Sequence, residues 1–186
     1  MVMKEKELKE GALLQRVAAR ALEGRRLTRD DNYWEDFEVG ETIVHPRGRT
    51  IADTEHMALT NIVLNTAQLH FNQAMCDEQP GTYFEGRRVV YGGIVFAFLV
   101  GLASEETSEN ALAELSYDEG RHKSPVFAGD TLFAESTVLE KRASPEREDA
   151  GVVKFLLVGK NQRGQTVLEI TREVLVKRKS HWSTGA

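Results

Sequence analysis

Val89-Val-Tyr-Gly-Gly-Ile-Val-Phe-Ala-Phe-Leu-Val-Gly-Leu-Ala103 runs from a glycine pair straight into an apolar stretch. The pattern predicts a helix from about Gly93 to Glu106 that is apolar nearly all round, and such a helix belongs in an interior. It is shorter than the roughly 20 residues that span a bilayer, and two glycines stand near its start. Something must therefore cover it, and the rest of the chain has to supply the cover.

The final third supplies it. Segments Leu112–Lys123, Thr131–Lys141, Val152–Asn161 and Thr166–Arg178 are rich in Val, Leu, Phe and Thr. They are separated by Gly129-Asp130, by Ser144-Pro145 and by Arg163-Gly164, which are turn residues. Four long strands in hairpin order are expected, with one earlier strand at about Ile43–Thr50. The fold class that follows is α+β, an antiparallel sheet wrapped around a single central helix.

Outward from this body, Thr50-Ile-Ala-Asp53 offers capping residues before Met57, Ala58, Ile62 and Val63, so a short helix is expected to start near Asp53. Asp77–Arg88, with Pro80, Gly81 and Gly86, reads as irregular. Between Glu5 and Gly24, Leu8, Leu13, Leu14, Val17, Ala18, Ala21 and Leu22 recur near the helical period. An extra N-terminal amphipathic helix with its connector is expected over 1–30, a single domain over 31–179 and a frayed tail over 180–186.

Composition narrows the function. The 186 residues carry 24 Lys+Arg against 29 Asp+Glu, a net charge of -5, with the basic residues scattered. No basic stripe recruits a phosphate backbone, so nucleic acid is not an expected partner. Cys76 is the only cysteine, which excludes an internal disulfide and a zinc site of paired thiolates. The charged N-terminus lacks the apolar core of a signal peptide, and a cytoplasmic protein with no membrane partner is expected.

Asn65-Thr-Ala-Gln-Leu-His70-Phe-Asn72 carries the candidate acid-base residue. An imidazole titrates near pH ~6.5 and can take or give a proton at neutrality, whereas the Asn65 carboxamide can only donate and accept hydrogen bonds. On composition alone His70 is also readable as a loop histidine bonded to backbone. Gly92 and Gly93 at a helix start can present N–H groups to an oxygen gaining negative charge, or simply let the helix approach the sheet. His45, His56, His122 and His181 do not space as a metal set, so no metal is expected. Arg87, Arg88, Arg121 and Lys123 could meet phosphates or merely be solvated.

These segments, together with Ser124-Pro-Val-Phe-Ala-Gly-Asp-Thr-Leu132 and Asn161-Gln-Arg-Gly-Gln-Thr-Val-Leu-Glu169, resemble the MaoC-like acyl-CoA dehydratases, the (R)-specific enoyl-CoA hydratases of hot-dog fold. The similarity covers roughly Tyr33 to Arg178 and is nearest the mesaconyl-CoA hydratase branch. The resemblance implies reversible hydration of a 2-enoyl-CoA, with a short or branched dicarboxylic acyl group suggested by the mesaconyl-like stretches and a straight chain left open. His70 and Asn65 would be catalytic, and Gly92 and Gly93 would bind the oxyanion. Coenzyme A would enter as part of the substrate with no further cofactor, and a homodimer or an assembly of dimers would complete the site. The family's usual Asp five residues before the His is Asn65 here. A hot-dog thioesterase and a non-catalytic acyl-thioester-binding module remain as alternatives.

Overall fold

Residues 31–183 are described by a computed structural model of the chain. The expected N-terminal helix lies outside them. Strands β1 (Thr42–Val44), β2 (Arg49–Thr50), β3 (Ala111–His122), β4 (Thr131–Ala143), β5 (Ala150–Asn161) and β6 (Thr166–Lys177) form one antiparallel sheet in the order β1-β4-β5-β6-β3. β2 pairs with β4 beside β1. The helices are α1 (Asp53–Ile62), α2 (Gln73–Glu78), α3 (Gly92–Thr107) and α4 (Lys179–Trp182).

The central helix is α3. Ile94, Val95, Leu99 and Ala103 are buried and join Leu132, Ala134 and Leu157 of the sheet and Val90 in one apolar cluster. Gly159 makes the close approach possible: a Cβ there would lie 2.1 Å from Leu99 Cδ1. The helix is not covered on every side, however. Ala97, Gly101 and Ser104 are exposed, and Phe96 and Phe98 are only half-buried. An all-round apolar pattern thus ends at a surface of the single chain, beside the edge strand β3 with its exposed Leu115 and Tyr117. The Phe96 and Tyr117 rings meet edge to face at 5.0 Å.

Expectations for the sheet and for α1 are corrected. The long strands do not all follow hairpin order, because β3 pairs with β6 rather than β4. The connection after β3 does not fold back on it: the Val90 amide bonds to the Val126 carbonyl at 2.7 Å, and Val89 bridges Phe127. Arg172 of β6, fully buried, reaches Glu114 of β3 at 3.2 Å and the Thr107 hydroxyl at 2.7 Å, tying that edge to the end of α3. The early strand is broken in two, since Pro46 lacks an amide hydrogen and interrupts the ladder. In α1 the buried residues are His56 and Thr60, while Ile62 and Val63 at its end are exposed.

At the C-terminal end, Lys179–Trp182 makes one helical turn where a frayed tail is expected. The Trp182 indole N–H donates to the Asp149 carbonyl at 3.1 Å, and the Lys179 amide donates to Glu35 at 2.8 Å.

His45 shows how the broken strand is anchored. Its Nδ1 lies 2.8 Å from Glu106 and its Nε2 2.9 Å from the Ser136 hydroxyl, in a site only 2 % exposed. Burial holds its pKa below the ordinary value despite the opposing pull of Glu106, and Arg172 adds to the lowering. His56 is lowered too, first by burial. Both rings protonate more readily in the unfolded chain, so their contribution is present above about pH 6.5 and is lost as pH falls below it. The urea midpoint is expected to drop between about pH 7.5 and about pH 5.5, and His45→Asn to remove part of that drop. A drop unchanged in the variant would contradict the assignment to His45.

Candidate active site

The loop between α1 and α2 is shaped by its own carboxamides. Asn65 Oδ1 accepts the Ala67 amide at 2.8 Å, an Asx-type turn, and Asn72 Oδ1 accepts the Met75 amide at 3.1 Å to cap α2. Between them a single 3₁₀ turn, Gln68–His70, turns the chain toward the segment preceding α3. The His70 ring is fixed there by two contacts. Its Nδ1 lies 2.8 Å from the Val89 carbonyl oxygen, and its ring meets Tyr91 edge to face at 5.5 Å.

The first contact decides the tautomer. A carbonyl oxygen can only accept, so Nδ1 carries the hydrogen and Nε2 keeps the lone pair. His70 is thereby presented as a base at Nε2. Behind it, the buried His56 lies close enough for the His70 backbone to act on its charge, although Nε2 of His56 has no hydrogen bond of good geometry.

His70 lines a cleft of about 360 Å³ at the start of α3. Its lining includes the apolar Phe84, Val89, Val90, Val95 and Val126 together with Gly92, His122, Lys123 and Ser124. No carboxylate lines it among the described residues. The structure therefore brings His70 and Gly92 together at one opening. Gly93 follows within the helix but does not line the cleft, and its Cα faces the Tyr91 ring. Asn65 does not line the cleft either: its carbonyl oxygen is committed to the loop, leaving the Nδ2 donor.

The amides of Gly92 and Gly93 have no hydrogen-bond acceptor among the described residues, as the first turn of a helix dictates. Gly92, which lines the cleft, thus stands at the positive end of the α3 dipole. The turn after β3 is held by Asp130, whose carboxylate accepts the Phe127 amide at 3.0 Å and the Gln162 amide at 2.7 Å. Burial works to raise its pKa, but these bonds and Arg163 hold it below the ordinary value.

Sequence reasoning passed over His122. It sits in an alternating, charged strand end that reads as a solvated edge, and only the tertiary fold places it opposite Gly92. Of the four cations considered for phosphates, Arg88 is engaged by Asp53 at 2.9 Å, and Lys123 by Glu169 at 2.8 Å. Arg87 lies over the Phe127 ring at 3.6 Å, and the Arg121 side chain has no ion pair or hydrogen bond among the described residues. No group of three or more His, Cys, Asp or Glu is placed to hold a metal among the described residues, and none of their helices is long and apolar enough to cross a membrane.

The sequence model of the mesaconyl-CoA hydratase family matches residues 42–178. The chain is 42% identical over 133 residues to a beta-methylmalyl-CoA dehydratase of Chloroflexus aurantiacus, an alignment covering 71% of this chain and 36% of that protein. It thus spans about a third of that relative's length. Among solved structures, a MaoC domain protein dehydratase from the same organism superposes with a TM-score of 0.71 at 36% identity, covering 78% of this chain and 44% of the other. A double hot-dog protein of Mycobacterium tuberculosis superposes with a TM-score of 0.72 at 22% identity, covering 84% and 47%. The sheet and its central helix are a hot-dog fold.

Proposed function

Because this chain belongs to the mesaconyl-CoA hydratase family, we propose that it reversibly adds water across the C2–C3 double bond of a 2-enoyl-CoA, with mesaconyl-CoA the best candidate. The observation that carries the reading is the His70 ring, held through Nδ1 by Val89 so that Nε2 is free, in the same cleft as the Gly92 amide. Nε2 takes a proton from water while the oxygen bonds to C3. The π electrons move toward the thioester, and the oxyanion that forms accepts hydrogen bonds from the start of α3. The protonated ring then returns its proton to C2. An oxyanion donor of this kind is commonly worth about 2.7–4 kcal/mol in the transition state.

With no carboxylate lining the cleft among the described residues, His70 performs both transfers. Asn65 shapes the loop that carries it and has only Nδ2 left to hold water or substrate. Coenzyme A enters with the substrate and no separate cofactor takes part. Hydrolysis of the thioester is the less supported reading, since Glu105 and Glu106 lie at the far end of α3 and Glu106 is engaged by His45. The reaction is assigned to the cytoplasm. Turnover of mesaconyl-CoA and crotonyl-CoA by the wild type beside a His70 variant tests the proposal.

The assembly is a homodimer or a multiple of one. The free edge of β3, the exposed Leu115 and Tyr117, and the uncovered side of α3 together form the surface on which a second copy completes the cover. Sedimentation equilibrium is expected to give twice the chain mass or a multiple of that. A monomer at assay concentrations would contradict it.

A further inference from the structure

The cleft holds a second imidazole that the proton transfers leave unused. His122 ends β3, and its ring meets the start of α3 tip first: a Cβ at Gly92 would lie 2.5 Å from His122 Nε2, 2.8 Å from Cε1 and 3.3 Å from Cδ2. The absence of a side chain at Gly92 is what lets this ring reach the helix start.

The other polar side chains around the cleft are engaged or stand elsewhere. His70 has its Nδ1 at the Val89 carbonyl and keeps Nε2 for the proton, while Lys123 is paired with Glu169 at 2.8 Å. No hydrogen bond or ion pair engages the His122 ring among the described residues. The three atoms nearest the missing Gly92 side chain all belong to that ring, so the Ser124 hydroxyl, which also lines the cleft, is farther from that point.

Charge decides what a ring in this place can do. As the oxygen of water bonds to C3, negative charge gathers on the thioester oxygen, and no carboxylate lining the cleft among the described residues opposes it. The unbonded amide of Gly92 offers that oxygen one hydrogen bond. An oxyanion has lone pairs for more than one, and a second donor beside the positive end of the helix dipole adds to the same stabilisation. An imidazole with its hydrogen on Nε2 is such a donor, neutral or protonated.

Resting on the reading that a 2-enoyl thioester is hydrated in this cleft, we propose that His122 is a further catalytic residue whose Nε2–H donates a second hydrogen bond to the thioester oxyanion. It keeps its hydrogen throughout. The proton taken from water and returned to C2 stays the business of His70.

Acetoacetyl-CoA tests this apart from hydration, because loss of a C2 proton to solvent gives an enolate, visible in the near ultraviolet, that carries negative charge on the thioester oxygen. The full chain is expected to shift bound acetoacetyl-CoA toward the enolate. His122→Leu should weaken that shift roughly tenfold to a hundredfold, the range for a hydrogen bond to a charged group, with the affinity for butyryl-CoA unchanged. Its kcat for enoyl-CoA hydration should fall by about 10²–10³-fold with KM little altered, and His122→Gln, which keeps a donor, should recover most of both. The side chain is exposed, so both variants should fold, which circular dichroism checks. No enolate with the wild type, an undiminished enolate in His122→Leu, equal weakening of acetoacetyl-CoA and butyryl-CoA, or equal defects in both variants overturns the proposal. A His122-dependent enolate without hydration of any enoyl-CoA would keep His122 as the donor and remove the hydration reading. Hydration undiminished in His122→Leu would do the reverse.

Discussion

Replacing His70 with glutamine is expected to lower turnover of an enoyl-CoA by about 10²–10⁴-fold, the usual worth of a positioned general acid-base group. The loss should appear in kcat, with KM little changed, because the ring acts on the proton being transferred and the apolar wall that holds the acyl chain is untouched. Glutamine keeps a donor that can reach the Val89 carbonyl, so the loop should persist, but it offers no nitrogen lone pair near neutral pH. His70 is half-buried, and its ring bonds to the backbone carbonyl of Val89. Large destabilisation is therefore not expected, and thermal unfolding separates loss of chemistry from loss of fold. Turnover within a few-fold of the wild type would contradict the assignment of both transfers to this ring.

Leu99→Ala is expected to destabilise the fold by about 2–5 kcal/mol, with a fall in Tm on the order of 10 °C. Leu99 is fully buried at the middle of α3, and the sheet offers it a place shaped by Gly159. Truncation opens a cavity that glycine cannot fill, and α3 is packed against β4, β5 and β6, which limits collapse. Urea denaturation measures the loss. A change below about 1 kcal/mol would mean that α3 is not packed on the sheet as described. Gly92 lies two turns away along the helix, so any remaining folded variant should keep its turnover at low temperature.

The contrast between these two positions shows what the sequence made legible. α3 could be read because an unbroken apolar run has few places to go, and the long strands because β-branched residues and turn residues alternate along the last third. The place of β3 could not be read, since strand pairing depends on contacts distant in sequence, such as Arg172 with Glu114 and Thr107. Pro46 did carry a local signal for the break between β1 and β2.

The candidate site divides in the same way. His70 and Gly92 stand in recognisable local patterns, and the fold brings them to one cleft. The tautomer of His70 depends on Val89, nineteen residues along the chain, and no local pattern foretells that bond. Asn65 reads as an orienter by type, yet its carbonyl oxygen is spent on the Ala67 amide, an alternative open to any Asn in a turn. His122 looked like a solvated residue because only the pairing of β3 with β6 carries the end of β3 past the start of α3.

The most direct test is incubation of the chain with mesaconyl-CoA, following the enoyl double bond, the hydroxyacyl-CoA product and free thiol together. Loss of the double bond matched by gain of the hydroxyacyl-CoA, with no free thiol, is the predicted result. Release of coenzyme A without the hydroxyacyl product, or binding of the thioester with no conversion, would contradict it.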